Sequence, residues 1–433
     1  MSAASLYDRL VHTPEGAADA MPPEAAREVP RNGLRQIVAQ ALQSTGDQVV
    51  NAKTVLPWLF AALGVPAALV GLLVPIRESG SMLPQAAMVP WVRRHRVRKW
   101  LWVAGSAGQA LATAAMAVTA ATAATATGTA AGVAILLALA VFALSRALNS
   151  LASKDVLGRT IPKGQRGQIN GLATVLSGVV AITVGVGIRL LGGDDAGPLV
   201  VLLTAAALTW VAGLVVYAGI REPAEEPVPA PAGGGGWASR SLALLRDDAT
   251  FRRFVLVRTL LLVSALSPPF VVALAAEHGG GLGGLGAFVV ASGVASLIGG
   301  RLFGRWADRS SRLLMIWGAG AASTVILVFL GLLQVPGVRG WTLLYPAVHL
   351  LLALTHTGVR VARKTYVVDM AQGDRRTEYV AVANTAMGVL LLVAGAVSSA
   401  LALLGAEVAL VFLALLGVAG VLAGRTLPEI SAR

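Results

Sequence analysis

A row of polar side chains runs through the first strongly apolar stretch of the chain. Its members are four, three, four and four residues apart, which places them on one face of an α-helix. A polar face cannot contact lipid without a large cost in free energy, so we expect it to line a helix interface or a wet cavity. The row consists of Gln36, Gln40, Gln43, Asp47 and Asn51.

The next apolar stretch carries Arg77 and Glu78. Counting about 1.5 Å per residue from the flanking basic residues places Asp47 about 18 Å deep, and Arg77 and Glu78 about 22–24 Å deep. An ion pair between Asp47 and Arg77 is therefore possible. Arg77 and Glu78 cannot both face the same point, because adjacent residues on a helix point about 100° apart.

Two interpretations of these charges follow. In the first interpretation, these residues bind substrate or couple transport to a proton, which is bound and released as an arginine moves between conformations. The residues are Asp47, Arg77 and Glu78, with Gln43 and Asn51 on the polar face that carries Asp47. The alternative is a fixed ion pair that locks two helices together. The functional interpretation is favoured, because charges inside a membrane are usually retained for transport chemistry.

A third set of polar residues follows a helical face in the tenth apolar stretch, with spacings of four, seven and four. Arg146 occupies the place equivalent to His356 in an internal repeat, and such a cationic pair could hold an anionic group of a substrate. Helix capping or snorkelling to the membrane surface is the alternative for these side chains, and snorkelling is favoured for Arg258. The residues of this face are Tyr345, His349, His356 and Arg360.

The composition identifies the solvent in which these residues act. Hydrophobic residues make up 56% of the 433 residues and charged residues 13%, and the mean hydropathy is +0.72. Soluble domains have about 25% charged residues. A lipid bilayer is therefore the expected solvent, and a soluble enzyme, a disordered chain and a coiled coil are disfavoured.

The apolar runs predict an all-α membrane protein with twelve transmembrane helices in two six-helix bundles. Residues 1–34 are expected to form a loosely ordered cytoplasmic tail, 35–220 the first bundle, and 251–427 the second. Residues 221–250, rich in Pro, Gly and Glu, predict a flexible linker, and 428–433 a short tail. The spans are 36–60, 66–92, 100–122, 129–153, 168–192, 197–220, 253–275, 283–304, 313–335, 341–363, 379–404 and 407–426.

The distribution of basic residues predicts the orientation. With both termini in the cytoplasm (N-in/C-in), the cytoplasmic segments hold 29 of the 35 Lys and Arg residues, and the opposite loops hold only Arg189 and Arg339. Positive residues stay on the side from which a chain inserts. Insertion thus accounts for the net charge of +13, and no nucleic-acid partner is needed.

An internal repeat of about 210 residues supports two equivalent halves. Residues 154–166 match residues 364–375, and each copy follows the fourth span of its half. Repeats of this kind are typical of transporters with a path between two bundles.

A loop between the eighth and ninth spans carries the most specific motif. Residues 300–312 read GRLFGRWADRSSR and resemble the G-x-x-A-D-R-x-G-R motif of the major facilitator superfamily (MFS). Ser311 replaces the second glycine of that motif. The matching residues are Gly304, Ala307, Asp308, Arg309 and Arg312.

The resemblance implies transport by rocking of two bundles. It also implies that the Asp308 carboxylate caps a neighbouring helix and that Arg309 and Arg312 pair with acidic groups to stabilise an outward-open state, with Gly304 in the same gating loop. The corresponding loop of the first half, WVRRHRVRK at 91–99, lacks the Asp and Gly of the motif. Its basic residues serve topology or bind anionic lipid.

Other chemistry has little support. The chain has no cysteine, phosphate-binding loop or hydrolase motif, so we expect no metal, no cofactor and no enzymatic activity. The interpretation is a monomeric, proton-coupled secondary transporter of the inner membrane for a small anionic or amphiphilic solute, with membrane lipids as its other partners. A non-transporting ligand sensor and a lipid-translocating protein are the alternatives.

Overall fold

The computed structural model of the chain describes residues 3–11, 21–122, 128–162, 165–191, 197–224, 237–277, 282–370 and 375–430. Within these ranges the regular structure is helical. The first helices are α1 (Ala3–Leu10), α2 (Pro23–Val49), α3 (Val55–Ala62), α4 (Ala67–Val70), α5 (Leu73–Met82), α6 (Gln85–Arg93), α7 (Lys99–Thr122), α8 (Gly128–Thr160), α9 (Arg166–Leu191) and α10 (Gly197–Ala218). They are followed by α11 (Trp237–Asp247), α12 (Ala249–Leu260), α13 (Val263–Leu266), α14 (Pro268–Glu277), α15 (Leu282–Leu332), α16 (Leu344–Met370), α17 (Arg375–Leu401) and α18 (Ala406–Gly424). The range of α15 contains two helical segments that meet at a kink at Ser310, whose backbone is extended.

Seven helical segments of the described chain are long and apolar enough to cross a membrane. Large apolar side chains stand on their outer faces, where Leu111 is 72% exposed and Val201 68% exposed. A water-soluble protein would rarely expose so much apolar surface. The chain is therefore a multi-pass integral membrane protein. The seven segments are Lys99–Thr122, Gly128–Thr160, Gly197–Ala218, Ala249–Glu277, Ser310–Leu332, Val382–Leu404 and Ala406–Gly424.

The helices form two groups that meet along one interface. In the first group, α7 packs against α8 and α10, and in the second, α15 packs against α16 and α18. Across the interface, α9 lies against α15, α5 against α17, and α3 against α14. Glycines allow this close approach: a Cβ atom on Gly395 would overlap Pro75, and one on Gly185 would lie 2.9 Å from the backbone nitrogen of Val290.

The first long apolar run is a broken helix, although the sequence predicts a continuous one. The backbone N–H of Leu56 donates to the carbonyl of Asn51 at 3.0 Å, and the Asn51 side chain accepts from the Lys53 N–H at 2.9 Å. Asn51 thus stabilises the break between α2 and α3. The prediction that Asn51 continues the polar face of the helix is wrong, because its side chain is used by the local turn.

A second break lies at the equivalent place of the internal repeat. There α12 ends at Leu260 and α13 begins at Val263. Breaks of this kind leave backbone polar groups unpaired by the helix, and a membrane protein tolerates them only inside the protein or beside a cavity. The two breaks therefore indicate where the interior of each half lies.

Residues 3–10 and 23–34 are helical, where the sequence predicts a loosely ordered tail. α1 packs on α2, and both Tyr7 and Val11 are 1% exposed. The Tyr7 hydroxyl donates to Gln165 Oε1 at 2.8 Å, and burial raises the pKa of Tyr7 to about 12. α2 begins at Pro23, well before the predicted start of the first span. Proline suits this first helical position because no intrahelical partner awaits its missing N–H.

The predicted flexible linker also contains regular structure. Residues 237–247 form α11, and Asp248 caps α12 by accepting a hydrogen bond from the Phe251 N–H at 2.9 Å. Residues 225–236 lie outside the described part of the chain.

Gly33→Ala tests the packing of α1. An added Cβ would overlap the Tyr7 ring, so we expect α1 to detach from α2. Trypsin cleavage after the exposed Arg9 should then be about tenfold faster, which corresponds to about 1.4 kcal/mol of lost docking free energy. Gly158→Ala is the matched control, because nothing lies within 4 Å of its added Cβ. Equal cleavage rates in both variants would contradict the packing role of Gly33.

Candidate functional site

An aspartate held by two arginines lies inside the N-terminal half. Arg77 Nη2 on α5 is 2.9 Å from Asp47 Oδ1, and Arg146 Nη1 on α8 is 2.6 Å from Asp47 Oδ2. The Arg77 guanidinium also lies 5.1 Å from the centre of the Phe142 ring. Each carboxylate oxygen has its own cation, so the arrangement joins α2, α5 and α8 and leaves one net positive charge.

A lysine that the sequence analysis overlooked connects the two halves. Lys53 Nζ lies 3.0 Å from His356 Nε2, and His356 Nδ1 lies 3.4 Å from Ser264 Oγ on α13. An ammonium group can only donate, so Nε2 must accept and the imidazole is neutral in this contact. The signal was available in the sequence, because a lysine in the middle of an apolar run marks a functional site by default.

Arg146 and His356 have different partners in the structure, although the sequence analysis proposes that they act together. Arg146 pairs with Asp47 in its own half, and His356 contacts Lys53. The charges that act most on His356 are those of Lys53, Arg360 and Arg363. The repeat therefore predicts equivalent positions without predicting equivalent partners.

Glu78 has no ion-pair partner within 4 Å in the described part of the molecule. It is half-buried, and the cations whose charges act on its carboxylate come from both halves. These cations are Lys53, Arg77, Arg360 and Arg146. Together with Asp47, Glu78 and His356, they form what we call the central charge cluster.

Two residues predicted for the site lie beside this cluster. His349 is 1% exposed, and its Nε2 lies 2.9 Å from Ser292 Oγ on α15, so it joins two helices of the C-terminal half. Gln43 is half-buried on the polar face of α2 and makes no side-chain hydrogen bond to the described residues. On the same face Gln36 is fully buried and donates to Thr160 Oγ1 at 2.7 Å.

Only part of the predicted gating loop can be placed. The side chains of Asp308 and Arg309 lie outside the described residues, and Gly304 is described only as part of α15. Arg312 Nη1 donates to the Leu427 carbonyl at 3.1 Å, and its Nε lies 3.4 Å from Glu429 Oε2. Arg312 thus joins the loop to the end of the same half, beyond α18.

The corresponding basic loop of the N-terminal half contacts acidic residues outside the motif. Arg98 Nη1 lies 2.8 Å from Asp155 Oδ2. The Lys99 backbone N–H donates to Glu222 Oε2 at 2.7 Å, and Glu222 also pairs with Arg159 at 3.0 Å. Part of this basic run therefore stabilises one end of the N-terminal half, in addition to any role in topology.

Comparison with known proteins identifies the fold. Neither a protein-family model nor a curated protein matches the chain. The crystal structure of a D-xylose–proton symporter matches with a TM-score of 0.68 at 12% identity, over 93% of this chain and 99% of that chain. The crystal structure of a mutant of the nucleoside transporter NupG matches with a TM-score of 0.69 at 11% identity, over 91% and 99% of the two chains.

A POT family transporter in complex with 5-aminolevulinic acid also matches, with a TM-score of 0.68 at 10% identity, over 90% of this chain and 95% of that one. These neighbours are transporters and not enzymes. Such low identity establishes the fold alone, and the fold is that of MFS transporters. The resemblance carried by the loop motif is thus confirmed at the level of the fold.

Asp47→Asn tests the ion pair in the N-terminal half. The change leaves two inward-facing guanidiniums without a counter-charge, so we expect a loss of about 3 kcal/mol in stability. Thermal unfolding of the purified protein, followed by tryptophan fluorescence, should show a lower Tm. Asp155→Asn is the control, because its carboxylate is 38% exposed and its pair with Arg98 should contribute less than about 1 kcal/mol. If both variants unfold at the same temperature, the ion pair does not hold these helices together.

Proposed function

We propose that this chain is a secondary active transporter that moves a small anionic solute across the inner membrane by alternating access, coupled to proton movement. The proposal includes twelve spans with both termini in the cytoplasm and a monomeric state. The MFS fold and the concentration of basic residues in alternate loops support it.

The central charge cluster is the observation that carries the proposal. The cluster contains four cationic side chains and two carboxylates, which leaves an excess of two positive charges, and one of the four cations, Arg360, is exposed. An uncompensated charge inside a membrane is costly. An anionic solute bound between the halves would supply the missing counter-charge, and Lys53 and Arg360 are the cations of the cluster without a carboxylate within 4 Å among the described residues.

Glu78 is the proposed proton carrier. Asp47 already has a guanidinium on each of its carboxylate oxygens, so it is committed to ion pairs within the N-terminal half. Glu78 has no ion pair to lose among the described residues and lies where charges from both halves act on it. Protonation of Glu78 would raise the positive excess of the cluster and strengthen its attraction for the anion. The D-xylose–proton symporter with the same fold is also proton-coupled by its name.

Alternating access is supported by where the two halves touch. Besides the contacts of α9 with α15 and of α5 with α17, the two halves touch where α3 meets α14 and α4 meets α17, at the end of the interface beyond the breaks in the helices. In the proposed orientation this end faces away from the cytoplasm and is closed. Asp308, Arg309 and Arg312 are proposed to stabilise the opposite, outward-open state through the gating loop that also contains Gly304.

Transport is tested first by finding a solute and then by moving it. Purified protein is screened by thermal shift against carboxylates, sugar phosphates and amino acids, and the hits are added to proteoliposomes containing a pH-sensitive dye. We expect solute uptake with a parallel change in internal pH. A solute that stabilises the protein without entering the vesicles would indicate a ligand sensor instead.

Glu78→Gln tests the coupling. We expect it to abolish accumulation of the solute driven by a pH gradient and to retain exchange of labelled for unlabelled solute, because exchange needs no net proton movement. Glu407→Gln is the control, since Glu407 lies in the first turn of α18 and pairs only loosely with Arg339, at 3.6 Å. Full gradient-driven accumulation by Glu78→Gln would exclude Glu78 as the proton carrier.

Gly185→Leu tests the closed state of the interface. A side chain here would meet the backbone of Val290 and Gly286, so we expect the closed end to open and uptake to slow by about tenfold. The chain has no cysteine, so spin labels attached at Ala62→Cys and Leu404→Cys report the distance across this end.

Gly187→Leu is the matched control on the same helix, because nothing lies within 4 Å of its added Cβ. The label distance should lengthen by several Å in Gly185→Leu and stay unchanged in Gly187→Leu. An unchanged distance in both variants would contradict closure at this end.

A further inference from the structure

Two arginines of the C-terminal half are buried without a carboxylate partner in the described part of the chain. Arg258 is 7% exposed and Arg363 is 9% exposed. Arg258 Nη2 donates to Asn384 Oδ1 at 3.0 Å, and Arg363 Nη1 lies 4.0 Å from Met387 Sδ. The expectation that Arg258 snorkels to the membrane surface is therefore wrong, because its guanidinium turns inward onto α17.

The two guanidiniums contact neighbouring turns of α17. Asn384 and Met387 are three residues apart on α17, so they occupy one face of that helix about one turn apart. The charge of Arg363 is the one that acts on Arg258. Two like charges are thus held together inside the protein.

Aromatic contacts fix the three helices that carry this pair. Phe254 on α12 and Tyr366 on α16 stack with ring centres 5.1 Å apart. Phe251 on α12 and Tyr379 on α17 lie 4.7 Å apart. These contacts hold the backbones that carry Arg258, Arg363 and Asn384 at fixed positions relative to one another.

Several donors at this place have no acceptor among the described residues. The Nε atoms of Arg258 and Arg363 are buried and make no hydrogen bond there. The Asn384 amide already accepts from Arg258 through its oxygen, so its NH₂ group is a further donor. Buried donors with excess positive charge match the geometry of a planar or tetrahedral oxyanion, which the guanidinium fork binds through two parallel hydrogen bonds.

We propose that Arg258, Arg363 and Asn384 form a binding site for a small oxyanion, such as a carboxylate, sulfate or phosphate group. The site adjoins the central charge cluster, because Arg363 is three residues from Arg360 and the charges that act on Arg363 are those of Arg360 and Glu78. On α16, Arg363 is seven residues from His356, or about 10 Å along the helix axis. Residues 356, 360 and 363 share one face of α16, so the site continues the cationic face toward one end of the C-terminal half.

The oxyanion has two possible sources with the same chemistry. It is either the anionic group of the transported solute, held before or after the central charge cluster, or a free inorganic anion. The first assignment depends on the proposed function, whereas binding itself does not. The experiment below measures binding without transport, so its failure and the failure of the transport proposal are distinguishable.

The test is equilibrium binding of radiolabelled sulfate to the purified full-length protein in detergent. We expect saturable binding that weakens at least tenfold in the double variant Arg258→Gln/Arg363→Gln. Arg253→Gln is the matched control, because Arg253 is an exposed arginine of the same helix, and it should bind like the wild type. Arg146→Gln, which alters the central charge cluster, is measured in parallel to show whether sulfate binds to that cluster instead.

Thermal unfolding of the same proteins in anion-poor buffer shows whether Arg258 and Arg363 already have a fixed counter-charge. Removing one of two unpaired like charges should leave the Tm of Arg363→Gln equal to that of the wild type or higher. A lower Tm would mean that the charge already has a fixed counter-charge, which overturns the proposal. Absence of sulfate binding in the wild type would also overturn it.

Competition identifies the source of the anion. If the solutes found in the transport screen displace sulfate, the site lies on the solute path, and if only inorganic anions displace it, the site holds a free anion. Both results support the site. Sulfate binding that is lost in Arg146→Gln and retained in Arg258→Gln/Arg363→Gln would assign the anion to the central charge cluster and contradict the proposal.

Discussion

The interior of this molecule is governed by the pairing of opposite charges, because a membrane solvates unpaired charges poorly. Asp47 lies between Arg77 and Arg146, and these contacts join three helices that the chain brings together from distant positions. Removing a buried counter-charge costs far more than the pair contributes by forming, because the remaining charge is left without a partner. The helices of the N-terminal half are consequently constrained around one carboxylate.

The two halves differ in how their buried arginines are paired. In the N-terminal half, Asp47, Asp155 and Glu222 each pair with arginine. In the C-terminal half, Arg312 and Arg339 pair with glutamates, whereas the buried Arg258 and Arg363 have an amide and a thioether as their hydrogen-bond partners among the described residues. The internal repeat thus places equivalent helices around a pseudo-symmetric interface, while the chemistry inside is asymmetric. An asymmetric interior supports the proposal that the protein holds an anion and releases it.

The helix breaks matter as much as the charges. Lys53 reaches His356 from the turn between α2 and α3, where Asn51 stabilises the backbone. A continuous helix would place this ammonium elsewhere on the helix surface. The sequence analysis missed Lys53 because it extended a helical period through a segment that is not helical. It also missed the order of the N-terminal segment, because a short helix is stabilised by what it packs against and not by its composition.

The sequence by itself determined the solvent, the helical class and the level of the charges. These follow from composition, from the length of apolar runs and from a constant rise per residue, all of which are local properties. Counting residues was enough to place Asp47 and Arg77 at one depth. Only the tertiary structure decided that Arg146 completes this pair, that Arg258 turns inward, and that Glu78 is left without an ion pair among the described residues. Those outcomes depend on which faces of distant helices meet, and helical periodicity carries no information about that choice.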